Sequence, residues 1–381
     1  MRKPDPPLFG SFFLGGFECT TGHHARGGWL DQVARTQHDR LAEEDYALLA
    51  SVGISGTREG IRWPVVDDGR RFDFTSALPV LEAARRHRAT VIWDLFHFGY
   101  PSALEPGTRA FRHRFATYAA AAARVVAAEG EGPHWFTPVN EPSYLAWAGG
   151  EAGVFQPGWR GRAPELKQAL LEADLAAREA IVAACPTARF VDVDPIVRVV
   201  PPADRPDLIP AADAYNEGAV LESWDFLHRN GALDVVGVNY YWTNQWELGV
   251  PGHLPVDDQR RTPLSRLLRD VWERYRRPIL VSETSHVGVQ RASWMREAAQ
   301  EVALCLREGI PILGLCWYPI LSMPEWEDPS QWTLMGLWDL APDEGHLRRV
   351  PCSEALAALE EARNILAPWL GERERALPAQ P

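Results

Sequence analysis

The sequence is short of positive charge: 39 Lys and Arg against 51 Asp and Glu leave a net charge of −12 at pH 7. Binding to phosphate backbones needs a basic surface, so nucleic acid is not an expected partner. Long apolar runs are missing too, and no stretch approaches the roughly 20 residues that cross a bilayer. Met1-Arg-Lys-Pro-Asp-Pro-Pro7 does not lead into the apolar region and cleavage site of a signal peptide, so a cytoplasmic protein is expected. Cysteines are few. Cys19, Cys185, Cys305, Cys316 and Cys352 are odd in number and have no CxxC spacing, so neither a disulfide framework nor a zinc knuckle is indicated, and buried thiols in a reducing compartment are expected. No linker, repeat or low-complexity tract divides the chain.

What is present is a large apolar fraction, 46% of 381 residues, and 16 tryptophans, many beside Gly, Pro or acidic residues. The indoles suit either a big core or a cleft lined by flat apolar faces. Strand-like and helix-like stretches alternate along the chain. Strands are expected at Phe9–Cys19, Gly53–Arg58, Thr90–Phe96, around Trp135, at Ala188–Asp194, Asp234–Tyr240, Pro278–Glu283 and Ile312–Trp317. Between them, helices are expected at Leu41–Val52, Phe74–His87, Arg109–Glu129, Glu165–Ala184, Ala211–Arg229, Leu264–Tyr275 and Trp294–Arg307. Eight strands alternating with helices make a parallel sheet, and eight is the number that closes a barrel. The expected fold is therefore α/β, a single (β/α)8 TIM barrel domain over 1–381 with short flexible termini at about 1–8 and 370–381. Thr20–Gly28 is too irregular for either period and reads as a polar loop.

Two of the strands end on carboxylates. Trp135-Phe-Thr-Pro-Val-Asn-Glu-Pro142 is an apolar run halted by Pro142, which puts Glu141 at a strand end. Pro278-Ile-Leu-Val-Ser-Glu283 stops on Glu283 in the same way. Two carboxylates at the C-terminal ends of parallel strands are the minimal equipment of a glycosidase, one as proton donor and one as nucleophile or base.

Along nearly its whole length the chain resembles the clan of retaining (β/α)8 glycosidases, and most of all glycoside hydrolase family 1, the β-glucosidases and β-galactosidases. The resemblance implies that Glu141, in the strand-four Asn-Glu-Pro, is the acid/base and that Glu283 on strand seven is the nucleophile. It also implies a sugar-binding role for Asn140. Arg58, in Arg58-Glu-Gly-Ile-Arg-Trp-Pro64, matches the arginine that holds the nucleophile ionised, with Arg62 as the competing choice. His97, in Asp94-Leu-Phe-His-Phe-Gly-Tyr-Pro101, matches a sugar-contacting histidine, although Phe98 stands where the family has Trp. Asn239-Tyr-Tyr241 is similar to the strand-six motif whose second Tyr bonds the nucleophile, and period-two alternation puts Asn239 and Tyr241 on one face with Tyr240 outward. Trp317, Glu325 and Trp326 match the floor and hydroxyl clamp of the sugar site, and Gly336-Leu-Trp-Asp-Leu340 is similar to a following family motif. The acidic residues of that loop disfavour 6-phosphosugars.

This chain also departs from the family. Ser282-Glu-Thr-Ser285 replaces the usual Thr-Glu-Asn-Gly, and His23 stands near the position of the family's strand-one sugar-binding Gln. The implied activity is retaining hydrolysis of a small β-linked glycoside, or transfer to another acceptor, with no cofactor, no metal and a carbohydrate as the partner. A metal-dependent hydrolase is the competing reading, using some of Glu18, His23, His24, His97, Asp194 and His286 as ligands. A non-catalytic sugar-binding barrel is the third.

Overall fold

The structure is a computed structural model that describes residues 7–130, 132–219 and 221–371. Eight strands close into a parallel barrel: β1 (Phe13–Gly16), β2 (Gly56–Gly60), β3 (Thr90–Asp94), β4 (His134–Thr137), β5 (Ala188–Pro195), β6 (Val235–Asn239), β7 (Ile279–Thr284) and β8 (Ile312–Trp317). Each pairs with its neighbours in chain order, and β8 pairs with β1 to close the ring. Helices follow the strands in the expected order: α1 (His38–Ser51), α2 (Leu78–Arg86), α3 (Arg109–Ala128), α4 (Ala163–Ala184), α5 (Leu221–Arg229), α6 (Leu264–Tyr275), α7 (Arg291–Arg307) and α8 (Ser353–Leu366).

Side chains alternating inward fill the barrel as a packed core. Leu14, Ile92, Trp135, Val191, Val193, Val235, Leu280 and Cys316 form one cluster with Phe9, which meets the Trp135 ring edge-on at 4.9 Å. Phe9 packs into this cluster from outside any strand, and the first strand is the four residues Phe13–Gly16, so the expected Phe9–Cys19 run is not continuous strand. The outward residues meet the helices. In α6, Leu264, Leu267, Leu268, Val271 and Tyr275 are buried at helical spacing, while Arg266, Asp270 and Glu273 face outward. The alanines on the inner face of α3 (Ala119, Ala122, Ala123) and of α4 (Ala169, Ala173, Ala177) let these two helices pack closely.

One polar knot ties α1 to the wall. Asp45 accepts from His38 (2.8 Å) and from Arg349 (2.6 and 2.8 Å), while Glu59 accepts from Tyr46 (2.9 Å) and lies 3.1 Å from His38. Burial opposes charge on His38, but the two carboxylates raise it to about 9, so the ring is an imidazolium satisfied on both nitrogens.

The structure differs from the sequence reading at several connections. Thr21–His24 pairs with Gly28–Asp31 as a hairpin where an irregular loop was expected, and Gly28 takes the left-handed backbone (φ 66°) that its turn requires. The expected Ala211–Arg229 helix is present as Ile209–Ala219 and α5, on either side of residue 220, which lies outside the described residues. After β8 a further hairpin, Trp338–Asp343 with His346–Pro351, and α8 complete the wall. Residues 1–6 and 372–381 of the expected flexible termini lie outside the described residues, and Leu370, inside them, is buried.

Candidate active site

The C-terminal ends of the strands converge on Arg58, whose side chain is wholly buried. It projects inward from β2, two residues beyond Gly56, and donates to Glu283 Oε1 (2.7 Å), Ser282 O (3.1 Å), Asp94 Oδ2 (2.7 Å) and Asn140 Oδ1 (2.9 Å). One guanidinium therefore orients groups from strands β3, β4 and β7. Arg62 is instead held by Asp31 at 2.8 Å.

Glu283 reaches this cluster through a register break. Leu280 and Ser282 point inward, so strict alternation would send Glu283 outward; an irregularity in the β6–β7 pairing between Val281 and Glu283 re-aims it. Tyr241 OH then donates to Glu283 Oε2 at 2.8 Å. Glu141 arrives by a different device. It lies past the end of β4 in a left-handed conformation (φ 46°), uncommon for a residue other than glycine, and its N–H is fixed on Val193 O at 3.0 Å. Asp194 clamps the next turn by accepting from Ser143 N (3.1 Å). Asn239 Nδ2 donates to Glu141 Oε1 at 2.8 Å, while Ser282 Oγ occupies the Asn239 carbonyl at 2.7 Å, which fixes the amide's orientation.

The two carboxyls, 9% and 4% exposed, have unlike surroundings. Burial, then the nearby Glu283 charge, pushes Glu141 up to about 8. Burial raises Glu283 as well, but the Arg58 guanidinium and the Tyr241 hydroxyl oppose it. Of the pair, Glu283 with its two charge-bearing or hydroxyl donors is the carboxylate, and Glu141 is the protonated acid.

His97 lies between Asn140 and a second polar group. Asn140 Nδ2 faces His97 Nε2 at 3.3 Å, and because Asn140 Oδ1 is taken by Arg58, Nε2 must accept; the ring hydrogen is then on Nδ1, facing Cys19 Sγ (3.2 Å) and Asp94 Oδ2 (3.3 Å). Burial pushes the Cys19 thiol up to about 11, so it is neutral. An aromatic wall flanks the centre: Trp326 meets Phe98, Phe155 and Tyr144 at 5.9, 5.6 and 6.2 Å between ring centres.

Three expected site residues are placed elsewhere. Cys316 points into the barrel, so Trp317 points out, where its indole N–H donates to Met335 O at 2.8 Å. The next inward residue is Tyr318, whose ring is parallel to His97 (6.1 Å, 4°) and lies beneath the Arg58 guanidinium. Glu325 is exposed and accepts from Thr333 Oγ1 on the short ladder Met323–Pro324 with Trp332–Thr333. His23 is exposed on its hairpin against Trp29. The strand-one residue that enters the centre is Glu18, buried, held by Thr20 N (2.8 Å) and 3.9 Å from His97 Nε2. Sequence reading missed Tyr318 and Asp94 and named Glu18 only as a possible metal ligand; for Tyr318 the signal was available, since it continues the inward alternation from Cys316.

The ligand set of the metal-dependent reading does not assemble. His24 Nδ1 accepts from two backbone amides, Asp194 serves Ser143, and His286 stacks on Trp242 at 4.3 Å. No helix among the described residues is long and apolar enough to cross a membrane.

No protein-family model and no curated protein matches the sequence. Solved structures do. A β-glucosidase from Thermotoga maritima in complex with glucoimidazole superposes with a TM-score of 0.75 at 16% identity, covering 95% of this chain and 99% of that one. A family 1 β-glucosidase from the same organism gives 0.75 at 15% identity over 96% and 99%. A hyperthermophilic β-glucosidase mutant that forms a dodecamer in the crystal gives 0.75 at 16% over 93% and 99%. The chain has the fold of the family 1 β-glucosidases. Within this β-glucosidase fold, the raised Glu141 makes a test that needs no substrate. Between the ordinary value of 4.5 and about 8 the folded protein keeps a proton that the unfolded chain releases, so stability falls as pH rises through that window. Glu141→Gln removes the penalty. Its melting temperature is expected to gain on the wild type between pH 5 and pH 9; a constant difference across that range would show that Glu141 titrates normally.

Proposed function

We propose that the protein is a retaining β-glycoside hydrolase acting on a small β-linked glycoside. The observation that carries this reading is a buried carboxyl pair from β4 and β7 in which one member is held by Arg58 and Tyr241 and the other is kept protonated by burial. Glu283 attacks the anomeric carbon and displaces the aglycone oxygen, which takes its proton from Glu141. Glu141, now ionised, draws a proton from water; the water oxygen attacks the same carbon, the bond to Glu283 breaks, and both carboxyls return to their starting states. Retaining chemistry of this kind needs the carboxyls about 5–5.5 Å apart.

Asn140 keeps one amide hydrogen free beyond its contact with His97, available to the sugar 2-hydroxyl. His97, Glu18 and Tyr318 line the sugar side, and Trp326 with Tyr144 offers apolar ring faces to the sugar or aglycone. Nothing in the scheme calls for a cofactor, and transfer to an acceptor other than water would use the same groups. A cytoplasmic location fits five unpaired cysteines, four of them buried.

Incubation with activated 2-deoxy-2-fluoro β-glycosides, followed by mass spectrometry of peptides, tests the proposal. One glycosyl adduct on Glu283 is the expected result. Turnover of aryl glycosides with inverted product and no adduct would overturn it. Glu141→Gln adds a second check: kcat/KM should fall by about 10²–10⁴-fold for alkyl glycosides, whose leaving oxygen needs a proton, and far less for aryl glycosides with acidic phenols. The wild-type rate should decline as pH rises past about 8, where Glu141 loses its proton.

A further inference from the structure

Among the described residues one group of three metal-type ligands converges, and it is not the carboxyl pair. Cys19, Asp94 and His97 each offer an atom within 4.8 Å of the others, and all three are buried. The separations, 3.2 Å from Cys19 Sγ to His97 Nδ1, 3.3 Å from Nδ1 to Asp94 Oδ2 and 4.0 Å from Sγ to Oδ2, are those of neighbouring ligands around one small ion with bonds of about 2.0–2.3 Å. A second observation points to a ligand. The same three residues line a cavity of about 10 Å³, walled also by Arg62 and Trp63, room for about one ion or water. Asp94, 1% exposed, has its Oδ1 without a hydrogen-bond partner, while Arg58 occupies Oδ2. A buried carboxylate oxygen left unpaired is costly and calls for a partner.

We propose that Cys19, Asp94 and His97 form a binding site for a thiophilic divalent cation of the zinc class, and that filling it switches off the neighbouring centre. One thiolate, one imidazole and one carboxylate suit such an ion better than magnesium or calcium, which prefer all-oxygen ligands. Binding releases one proton, from the Cys19 thiol, while the single ring hydrogen of His97 moves from Nδ1 to Nε2 and the imidazole stays neutral. That reverses the polarity of Nε2. It would then point a hydrogen at Asn140 Nδ2, itself a donor fixed by Arg58, and the nearby acceptor is Glu18 at 3.9 Å. The oxygen within reach of Cys19 and His97 is Oδ2, so the ion competes there with Arg58, loosening the guanidinium that holds Glu283, and the displaced N–H can turn to the unpaired Oδ1.

The inhibitory half rests on the proposed glycosidase reading; the binding half does not. Chelator-treated protein is mixed with Zn²⁺ or Cd²⁺, passed through gel filtration and assayed for bound metal, and Cd²⁺ is also followed by its thiolate charge-transfer absorption. About one retained equivalent is expected. It should weaken by more than about 100-fold in Cys19→Ser, beyond what losing an outer partner costs, and persist in Cys352→Ser, which removes the partly exposed thiol. No retention in the wild type, or equal retention in Cys19→Ser, overturns the site. Thermal melts confirm that each variant is folded. Aryl-glycoside hydrolysis should fall with the same metal dependence in the wild type and resist the metal in Cys19→Ser; binding without inhibition overturns the switch alone. If no glycoside is turned over, the functional reading fails while metal retention still decides the site.

Discussion

Glu283→Ala is expected to lower kcat on aryl β-glycosides by on the order of 10⁵-fold while leaving the protein folded. In the proposed reaction the Glu283 carboxylate, held by Arg58 and Tyr241, forms the bond to the anomeric carbon. Its removal leaves Arg58 still paired with Asp94, so the cluster keeps a counter-ion and stability should change little by comparison. A small anion such as azide, added at high concentration, should restore turnover by entering the space left by the side chain and should yield a glycosyl azide of inverted configuration. A residual rate within tenfold of the wild type, or no effect of azide on a folded variant that retains sugar affinity, would remove Glu283 from the nucleophile's role.

Arg58→Met should destabilise the fold by about 3–5 kcal/mol, the usual cost of taking one partner from a buried ion pair. Here the charge left behind is doubled, because Glu283 and Asp94 both lose their cation, and the Asn140 carbonyl loses a donor. The variant should also lose activity, and the acid limb of its pH–rate profile should move to higher pH, since Glu283 would be harder to ionise. Denaturant unfolding measures the first effect and kcat/KM against pH the second. A loss of stability below about 1 kcal/mol would mean that the guanidinium is not the counter-ion of this cluster. Arg58→Lys should recover little, because an ammonium cannot span Glu283, Asp94 and Asn140 at once.

Much of this was legible before any coordinates. The alternation of apolar strands with amphipathic helices carried the barrel, and Pro142 marked where β4 had to stop. The pattern of Asn239, Tyr240 and Tyr241 also read through: Tyr240 packs outward on Trp294 at 5.7 Å, while Asn239 and Tyr241 bond to Glu141 and Glu283. Such features follow from local period, which a strand imposes on any sequence. The resemblance misled in places. It matched Trp317 to the floor of the sugar site, but the residue that points inward there is Tyr318. Glu325 was matched to the hydroxyl clamp at a spacing one residue longer than the family's, and a two-residue ladder turns it to solvent.

The sequence by itself determined the eight alternating strands and the two carboxylates at the ends of β7 and of the run after β4, because these depend on local period and on residue type at a strand end. It left Arg58 and Arg62 both open. Only the tertiary structure decided which side chains meet. A register irregularity aims Glu283 inward, a left-handed backbone aims Glu141, and the strand-one approach is made by Glu18 and Cys19 in place of His23. Those choices arise from bulges, backbone strain and packing between segments that lie far apart in the chain. The period of any one strand carries no record of them.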